Sequence, residues 1–593
     1  MQTVETDVAI IGGGGAGLRA AIAAAETDAG LSITLVSKVV PMRSHTVAAE
    51  GGAAGVITGQ DSLELHFRDT VAGGDWLCDQ DAVDFFVERC TDEMVQLEHW
   101  GCPWSRQDDG LTNVRNFGGM STARTWFAAD KTGFHILHTL FQTSIKYPSI
   151  RRLDEYFALD LIVEDGRCQG LVAVEIATGE FFLIRARAVI LATGGAGRVY
   201  RQNTNAGILT GDGMGIAYRQ GVALRDMEFV QYHPTALPGT GILITEGCRG
   251  EGGYLVNKDN HRYLQDYGLG PVVSEPTPKT MELGPRDRLS QAFWHEERAG
   301  RTVTTTLGQA VHLELMHLGR EKLEERLPFI YELAGTFFDI DPAKSPIPVR
   351  PAVHYTMGGI QADAETATTL PGLYACGECS SVGIHGANRL GSNSLAELCV
   401  FGNVAGVQAA RFARQAPDAD EKGLAQQAAE VENRAVELLT RGDGQDRIAT
   451  LRDQMAATMD DGVGIFRDAE GMQATCDTLA ELKDRYRRLH IDDHSRSFNT
   501  EWLNAIELGF SLDVAQAMAH SAANRRESRG AHQRLDEYTQ RDDERFLNHT
   551  LAYYQSDGPP RLAEQPVNVT RFQPAKRIYG GEAKTAVQEA SDD

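Results

Sequence analysis

Hydrophobic positions follow three regimes along the 593 residues. The first consists of short, unbroken apolar runs that stop at glycines or polar residues. Val8-Ala-Ile-Ile runs into Gly12, Ile33-Thr-Leu-Val ends at Ser37, residues 188–192 stop at Gly194, and Leu373-Tyr-Ala-Cys stops at Gly377. Runs of this length between turn residues predict parallel strands buried on both faces. The small residues from Leu18 to Ala25 predict a helix packed closely on those strands. The second regime, from about Pro234 to Val349, mixes glycine turns with short apolar stretches and reads as a separate α+β lobe. The third begins after Arg411 with a polar, proline-containing break at 415–420. Helical periodicity follows over 424–441 and 475–489, where Leu479, Leu482, Tyr486 and Leu489 hold a helical spacing. Beyond Tyr554 the pattern is irregular, and the polar, acidic end at 589–593 is expected to be mobile.

Between the first strand and the first helix stand Gly12, Gly13, Gly14, Gly15, Ala16 and Gly17, a match to G-x-G-x-x-G. The glycines allow a tight turn and bring a pyrophosphate close to the helix N-terminus. This predicts an α/β fold whose dinucleotide domain is Rossmann-like, discontinuous (1–233 and 350–414) and interrupted by a capping domain at 234–349. A helical domain at 415–554 and a C-terminal segment at 555–593 follow. Ligands favour such domain junctions. The second strand ends in Ser37 and Lys38 instead of the acidic residue that holds a ribose, which disfavours plain NAD binding. Glu378, just beyond the last apolar run, offers a carboxylate instead. In the stretch 43–52, His45 lies between Ser44 and Thr46 and is followed by Glu50, Gly51 and Gly52. The glycine pair lets the main chain approach a flat ligand, and a flavin attached through His45 is the expected one.

The formal net charge of −25 opposes sequence-independent binding to nucleic acid or anionic lipid. No window reaches the apolar length of a membrane span. The N-terminus has no basic segment and runs straight into a strand, so a cytoplasmic location without signal peptide is expected. The nine cysteines are scattered. Cys376 and Cys379 form the only C-x-x-C, and without a second pair they read as buried small side chains, so no metal site is expected. Four clusters carry cationic and imidazole groups among glycines: His233; Thr245, Glu246 and Arg249; Arg286; and His354 with Arg389. The arginine fork suits a carboxylate. Spacing alone does not bring the four together.

Eight separated motifs, at 43–52, 71–77, 233–235, 245–250, 285–287, 385–390, 527–532 and 574–577, closely resemble the flavoprotein subunit of the quinol–fumarate reductase and succinate dehydrogenase (complex II) family. The likeness runs from residue 1 to 581 and weakens in parts of the helical domain and the tail. It implies FAD carried on His45 through the flavin 8α carbon, with raised potential. It implies Gly12, Gly14 and Gly17 at the pyrophosphate, Glu378 at the ribose, and Ser394 and Leu395 near the ring. Tyr156, Phe157, Ala158 and Asp212 complete the expected cofactor set. For the substrate, His233, Thr245, His354 and Arg389 would hold the carboxylates, with Phe117 and Gly52 lining the site. Arg389 and His354 would twist one carboxylate out of conjugation before hydride transfer from the flavin. Arg286 would deliver a proton, resupplied through Glu246 and Arg249. A guanidinium keeps its proton at ordinary pH, so this role needs neighbouring cations and exclusion of water.

The resemblance also implies an iron–sulfur subunit, a quinone-binding membrane anchor, a flavinylation assembly factor and peripheral attachment at the cytoplasmic face of the inner membrane. Glu50 stands where reductases of this type carry Glu and dehydrogenases usually carry Gln, which favours fumarate reduction. The reverse reaction, succinate oxidation, is the nearest alternative. A soluble L-aspartate oxidase-like enzyme, which lacks the linking histidine, is more distant. A catalytically silent flavin-binding subunit is a third, opposed by the joint presence of His233, Arg249, Arg286, His354 and Arg389.

Overall fold

The computed structural model describes residues 1–417, 421–441 and 444–585. The acidic end at 589–593 and residues 418–420 of the polar break lie outside them. Gln2–Ile11 is the opening strand of a seven-stranded sheet ordered Ile150–Asp154, Ile33–Ser37, Gln2–Ile11, Phe181–Leu191, Arg167–Glu175, Tyr156–Glu164, with Leu373–Ala375 also pairing Phe181–Leu191. The parallel registers Val8↔Ile33, Ile10↔Ile190 and Tyr374↔Ile190 align the C-terminal ends of these strands. Ligands bind outside such strand ends in open α/β sheets. The helix Gly15–Thr27 buries Leu18 to Ala25 and packs against Asn393–Gln415. The two helices approach so closely that a Cβ on Gly406 would lie 2.2 Å from the Ala20 carbonyl oxygen. Cys376 and Cys379 are fully buried at this layer.

The inserted lobe is an antiparallel sheet ordered Val230–Ala236, Ile347–Thr356, Gly308–Glu314, Tyr254–Val256, with the helix Arg286–Arg298 packed on its first strand. The chain enters along Val230–Ala236 and leaves along Ile347–Thr356. Because these two strands pair (His233↔Ala352), His233 and His354 are neighbours, with ring centroids 5.0 Å apart.

Four helices follow: Glu421–Leu439, Ile448–Gly462, Ala469–Tyr486 and Thr500–Asn524. Leu479, Leu482 and Leu489 are buried, as their spacing predicts. Thr500–Asn524 is apolar on nearly all sides because it is covered on nearly all sides. Within the stretch expected to be irregular, Arg561–Pro566 is instead a strand, paired antiparallel with Asn548–Tyr553 and joined through it to Leu224–Arg225. Its alternation of Arg, Leu, Ala, Glu and Gln at a half-exposed edge carries too little apolar signal to stand out.

The C-terminal segment then crosses back over both lobes. Arg571 pairs with Asp84 and Glu64, while Arg577 reaches Asp287 at 2.7 Å and Asp75 at 3.8 Å. Beneath it, buried His549 is clasped between Asp226 (2.6 Å) and Asp79 (3.1 Å). Burial opposes its charge, but the two carboxylates win and raise its pKa from 6.5 to about 9. A group whose folded pKa is raised stabilises the fold fully below its unfolded value and loses that contribution as pH climbs through the folded value. Replacing His549 with Gln is therefore expected to cost ~3–5 kcal/mol, the usual result of breaking a buried pair. Thermal unfolding between pH 6 and 10 should show the wild type and the variant converging as pH passes about 9.

Candidate active site

A cavity of about 750 Å³ opens beyond the ends of the parallel strands. Gly12, Gly13, Gly14, Gly15 and Ala16 form its floor, Ser37 and Lys38 one flank, and Ser44, His45, Thr46 and Glu50 the other. Tyr156, Phe157, Ala158, Asp212, His354, Glu378, Ser394 and Leu395 complete its walls. Gly17 and Gly51 stand behind it. A Cβ on Gly17 would lie 1.9 Å from the Gly12 carbonyl oxygen, and one on Gly51 would meet the Phe117 ring at 2.7 Å. The cavity is furnished for a polar ligand: Ser44 Oγ, Glu50 Oε2, Thr193 Oγ1 and Asn205 Oδ1 line it, are buried, and have no hydrogen-bond partner. With Gly12 at φ +115° and glycines across the turn, the floor leaves main-chain N–H groups bare for a pyrophosphate. The residues present thus fit a dinucleotide.

At the flank, Lys38 Nζ donates to Asp212 (2.5 Å) and Glu507 (2.8 Å). Burial works against the Lys38 charge, but Asp212 and Glu507 more than offset it and raise its pKa. Asp212 thereby places a carboxylate beside Ser37 and Lys38. Glu378 lies on the other side of the strand order, beyond Leu373–Ala375, where its Oε1 accepts the Thr356 N–H at 3.1 Å. Burial pushes the Glu378 carboxyl up to about 8.

His45 Nδ1 accepts the Ala206 N–H at 3.3 Å, which leaves Nε2 for any other bond. Burial holds its pKa down at about 4, so the ring is neutral and nucleophilic at physiological pH. Glu50 is driven the opposite way. Burial and the nearby Asp130 raise its pKa well above the ordinary carboxylate value, against the Thr245 backbone and Arg115.

Next to this cavity the four cationic clusters converge. Arg286 donates to Glu246 Oε2 at 2.7 Å and to Gln231 Oε1 at 3.0 Å. Arg389 donates to the same Gln231 oxygen at 3.1 Å, and the Gln231 amide donates back to the Arg389 carbonyl at 2.7 Å. The other Glu246 oxygen accepts the Gly118 N–H at 2.5 Å and lies 3.6 Å from Arg249 Nη2. Arg249 is further tied to the Glu282 carbonyl. Thr245, Glu246, Arg249, Arg286 and Arg389 are all 5% exposed or less. Phe117 is buried beside Met120 and Leu390. Gly52, at φ +143°, turns the chain against Trp126. Neither Phe117 nor Gly52 lines the large cavity.

The electrostatics are those of a buried, cation-rich pocket. Burial, then Arg286 and Arg249, hold His233 well below its ordinary value. His354 falls likewise through burial, His233 and Arg286. Both imidazoles are neutral, with Nδ1 of His354 at 2.8 Å from the Thr204 hydroxyl and Nδ1 of His233 beside the Thr235 backbone. Burial and Arg286 bring Arg389 down to about 10. Burial also lowers Arg249, against the attraction of Glu246. Glu246 itself is penalised by burial, yet Arg286 and Arg249 keep it below the usual range and so ionised.

Sequence reasoning gave no role to Gln231, whose one amide orients both Arg286 and Arg389. Its signal is its position two residues before His233 on one strand, which puts both on the same face. Glu507 had no signal, because it meets Lys38 from a helix 469 residues away.

Comparison with known proteins supports the same picture. Residues 7–395 match a family described as FAD binding domain, and residues 452–579 match one described as fumarate reductase flavoprotein C-term. The chain is 63% identical to the fumarate reductase flavoprotein subunit of a Serratia species, over 100% of this chain and 99% of that protein. It is 41% identical to the succinate dehydrogenase flavoprotein subunit of Rickettsia bellii, over 97% and 98%. A solved quinol fumarate reductase flavoprotein of Escherichia coli, a point variant, superposes with a TM-score of 0.96 at 61% identity, covering 98% of this chain and 100% of that one.

Proposed function

Because the chain belongs to the fumarate reductase and succinate dehydrogenase flavoprotein family, we propose that it is the catalytic flavoprotein of a fumarate reductase. FAD lies in the glycine-floored cavity and fumarate is reduced at the adjoining arginine cluster. One observation carries the reading: Arg249, Glu246, Arg286, Gln231 and Arg389 form a continuous buried chain beside that cavity. A structural ion-pair network would match each cation with a carboxylate. Here Arg389 has none within ion-pair distance among the described residues, and its Nε is buried without a partner. Arg389 is thus available to pair with an anionic substrate.

FAD, when bound, supplies hydride chemistry. The chain's own residues do the rest. Arg389 takes one carboxylate in paired hydrogen bonds, and neutral His354 and His233 offer their Nε2 atoms to the substrate oxygens. Burial excludes water, so these contacts act in a low dielectric. The alkene carbon opposite the hydride receives a proton from Arg286. Glu246, kept anionic and 2.7 Å from Arg286 Nε, returns a proton to it from the side of Arg249. Fumarate, one hydride and one proton then give succinate. Burial lowers the pKa values of Arg249 and Arg389, which supports a pocket in which a guanidinium holds its proton less tightly.

Glu50 favours the reductive direction, and identity to reductase relatives exceeds that to the dehydrogenase. His45 forms the covalent bond to the flavin through Nε2, since Nδ1 is engaged by the Ala206 N–H. Asp212, by virtue of its place beside Ser37 and Lys38, shares the ribose role expected of Glu378. Electrons arrive from an iron–sulfur subunit and, through it, a quinone-binding membrane anchor. An assembly factor aids flavin attachment. Among the described residues no helix is long and apolar enough to cross a membrane, so attachment to the cytoplasmic face runs through those partners.

Two measurements test this. Denatured intact mass should show an FAD adduct on the peptide holding His45, absent from the His45→Ser variant. Voltammetry of the holoenzyme with fumarate and succinate together should show current both ways, larger towards fumarate. In His45→Ser the bound-flavin potential should fall, with every ~30 mV costing tenfold in the equilibrium for succinate oxidation. Current without any adduct would remove the covalent link. Bound flavin without current would remove the substrate assignment.

A further inference from the structure

A second cavity, of about 770 Å³, lies on the other side of the arginine cluster. Its walls come from several separated parts of the chain, among them 118–122 and 388–390. The helix Leu63–Gly73 gives Leu65, Arg68 and Ala72, the inserted lobe gives Lys279 and Arg286, and the C-terminal segment gives Ala575 to Tyr579. Arg286 and Arg389 line this second cavity and not the first. A dinucleotide in the first cavity would occupy that side. The arginines are then reached from the second.

Resting on the function proposed above, we propose that the second cavity is the entrance and holding site through which the dicarboxylate dianion reaches Arg389 and Arg286. Its charge suits that ligand, against a chain whose net charge is −25. Arg68, Lys279, Arg286, Arg389, Lys576 and Arg577 line it, with Asp69 the one carboxylate among its lining residues. Lys279 pairs with Asp69, Arg577 with Asp287, and Lys576 with Glu582. Arg68 and Arg389 have no carboxylate within ion-pair distance among the described residues. They mark the outer and inner ends of a path for an anion, since Arg68 is exposed, over the Phe572 ring, and Arg389 is buried. Between them the wall holds Trp76, whose indole N–H is buried without a partner and which sits at φ +66°. A donor left unpaired in a strained turn is costly unless a ligand takes it. Low-dielectric walls of one sign raise the local concentration of an oppositely charged ligand and make its capture salt-dependent.

The test uses the purified holoenzyme, fumarate as probe and reduced viologen as donor, with kcat and KM measured from low to high ionic strength. Arg68→Glu is expected to lower kcat/KM about tenfold at low salt, to leave kcat unchanged, and to flatten or reverse the salt dependence; Arg68→Lys should restore it. Ala72→Trp, which narrows the cavity, should lower kcat/KM for both fumarate and succinate with flavin content and bound-flavin potential unchanged. Wild-type kcat/KM and salt dependence in both Arg68→Glu and Ala72→Trp would overturn the entrance. A failure of the site itself looks different: Arg389→Ala would then keep its affinity for malonate.

Discussion

Arg286→Gln is expected to slow fumarate reduction by ~10²–10⁴-fold, the span that a positioned proton donor contributes. The substitution keeps an amide of similar reach. It can still bond to Glu246 and Gln231, so the pocket should hold its shape. What it lacks is a proton that can be given up and regained. The loss should therefore appear in kcat, with KM moved by a factor of about three or less, because the interaction removed belongs to the transition state. Single-turnover reoxidation of the reduced holoenzyme by fumarate isolates the step. A raised KM with unchanged kcat would make Arg286 a binding group only. Glu246→Gln should fall in the same way, since an amide at 2.7 Å cannot relay the proton.

Arg389→Ala should abolish useful binding of dicarboxylates. Truncating one partner of a buried, hydrogen-bonded charge pair costs ~2–5 kcal/mol, equivalent to a ~30- to several-thousandfold loss of affinity. Malonate, a dicarboxylate with no alkene to reduce, reads this directly by titration of the flavin absorbance. Lysine in the same position should recover only part of the loss. An ammonium is a point charge and does not make the paired bonds of the guanidinium plane. Its charge would also meet the Tyr355 ring, over which the Arg389 guanidinium lies at 4.3 Å.

What could be read from the chain beforehand depended on how each element is buried. Val8 to Ile11, Ile33 to Ser37 and Leu373 to Ala375 were legible because strands covered on both faces need unbroken apolar runs. The insertion showed as a change in composition between two halves of one sheet. Arg561–Pro566 was not legible, because a half-exposed edge strand has no such requirement. At the site, residue type revealed His233, Arg249, Arg286, His354 and Arg389 as candidates, and family resemblance joined them. Spacing could not, since the join is the pairing of Val230–Ala236 with Ile347–Thr356. Gln231 stayed hidden because an amide has no charge to advertise it. Glu507 stayed hidden because it meets its partner Lys38 from a helix far along the chain.

The sheet that opens at Gln2–Ile11 is not finished until Leu373–Ala375 has paired with Phe181–Leu191, and its first helix is not covered until Asn393–Gln415 arrives. Arg571 and Arg577, which lock the earlier segments, come later still. At translation rates of about 5–20 residues per second, the last strand of this sheet follows the first by roughly 20–70 s. During that time the helix Gly15–Thr27 lacks its cover and the nucleotide cavity has only part of its wall. Flavin therefore meets a complete cradle only after Leu398 has been made, and a nascent chain truncated before residue 373 should be a client for chaperones instead of a flavoprotein.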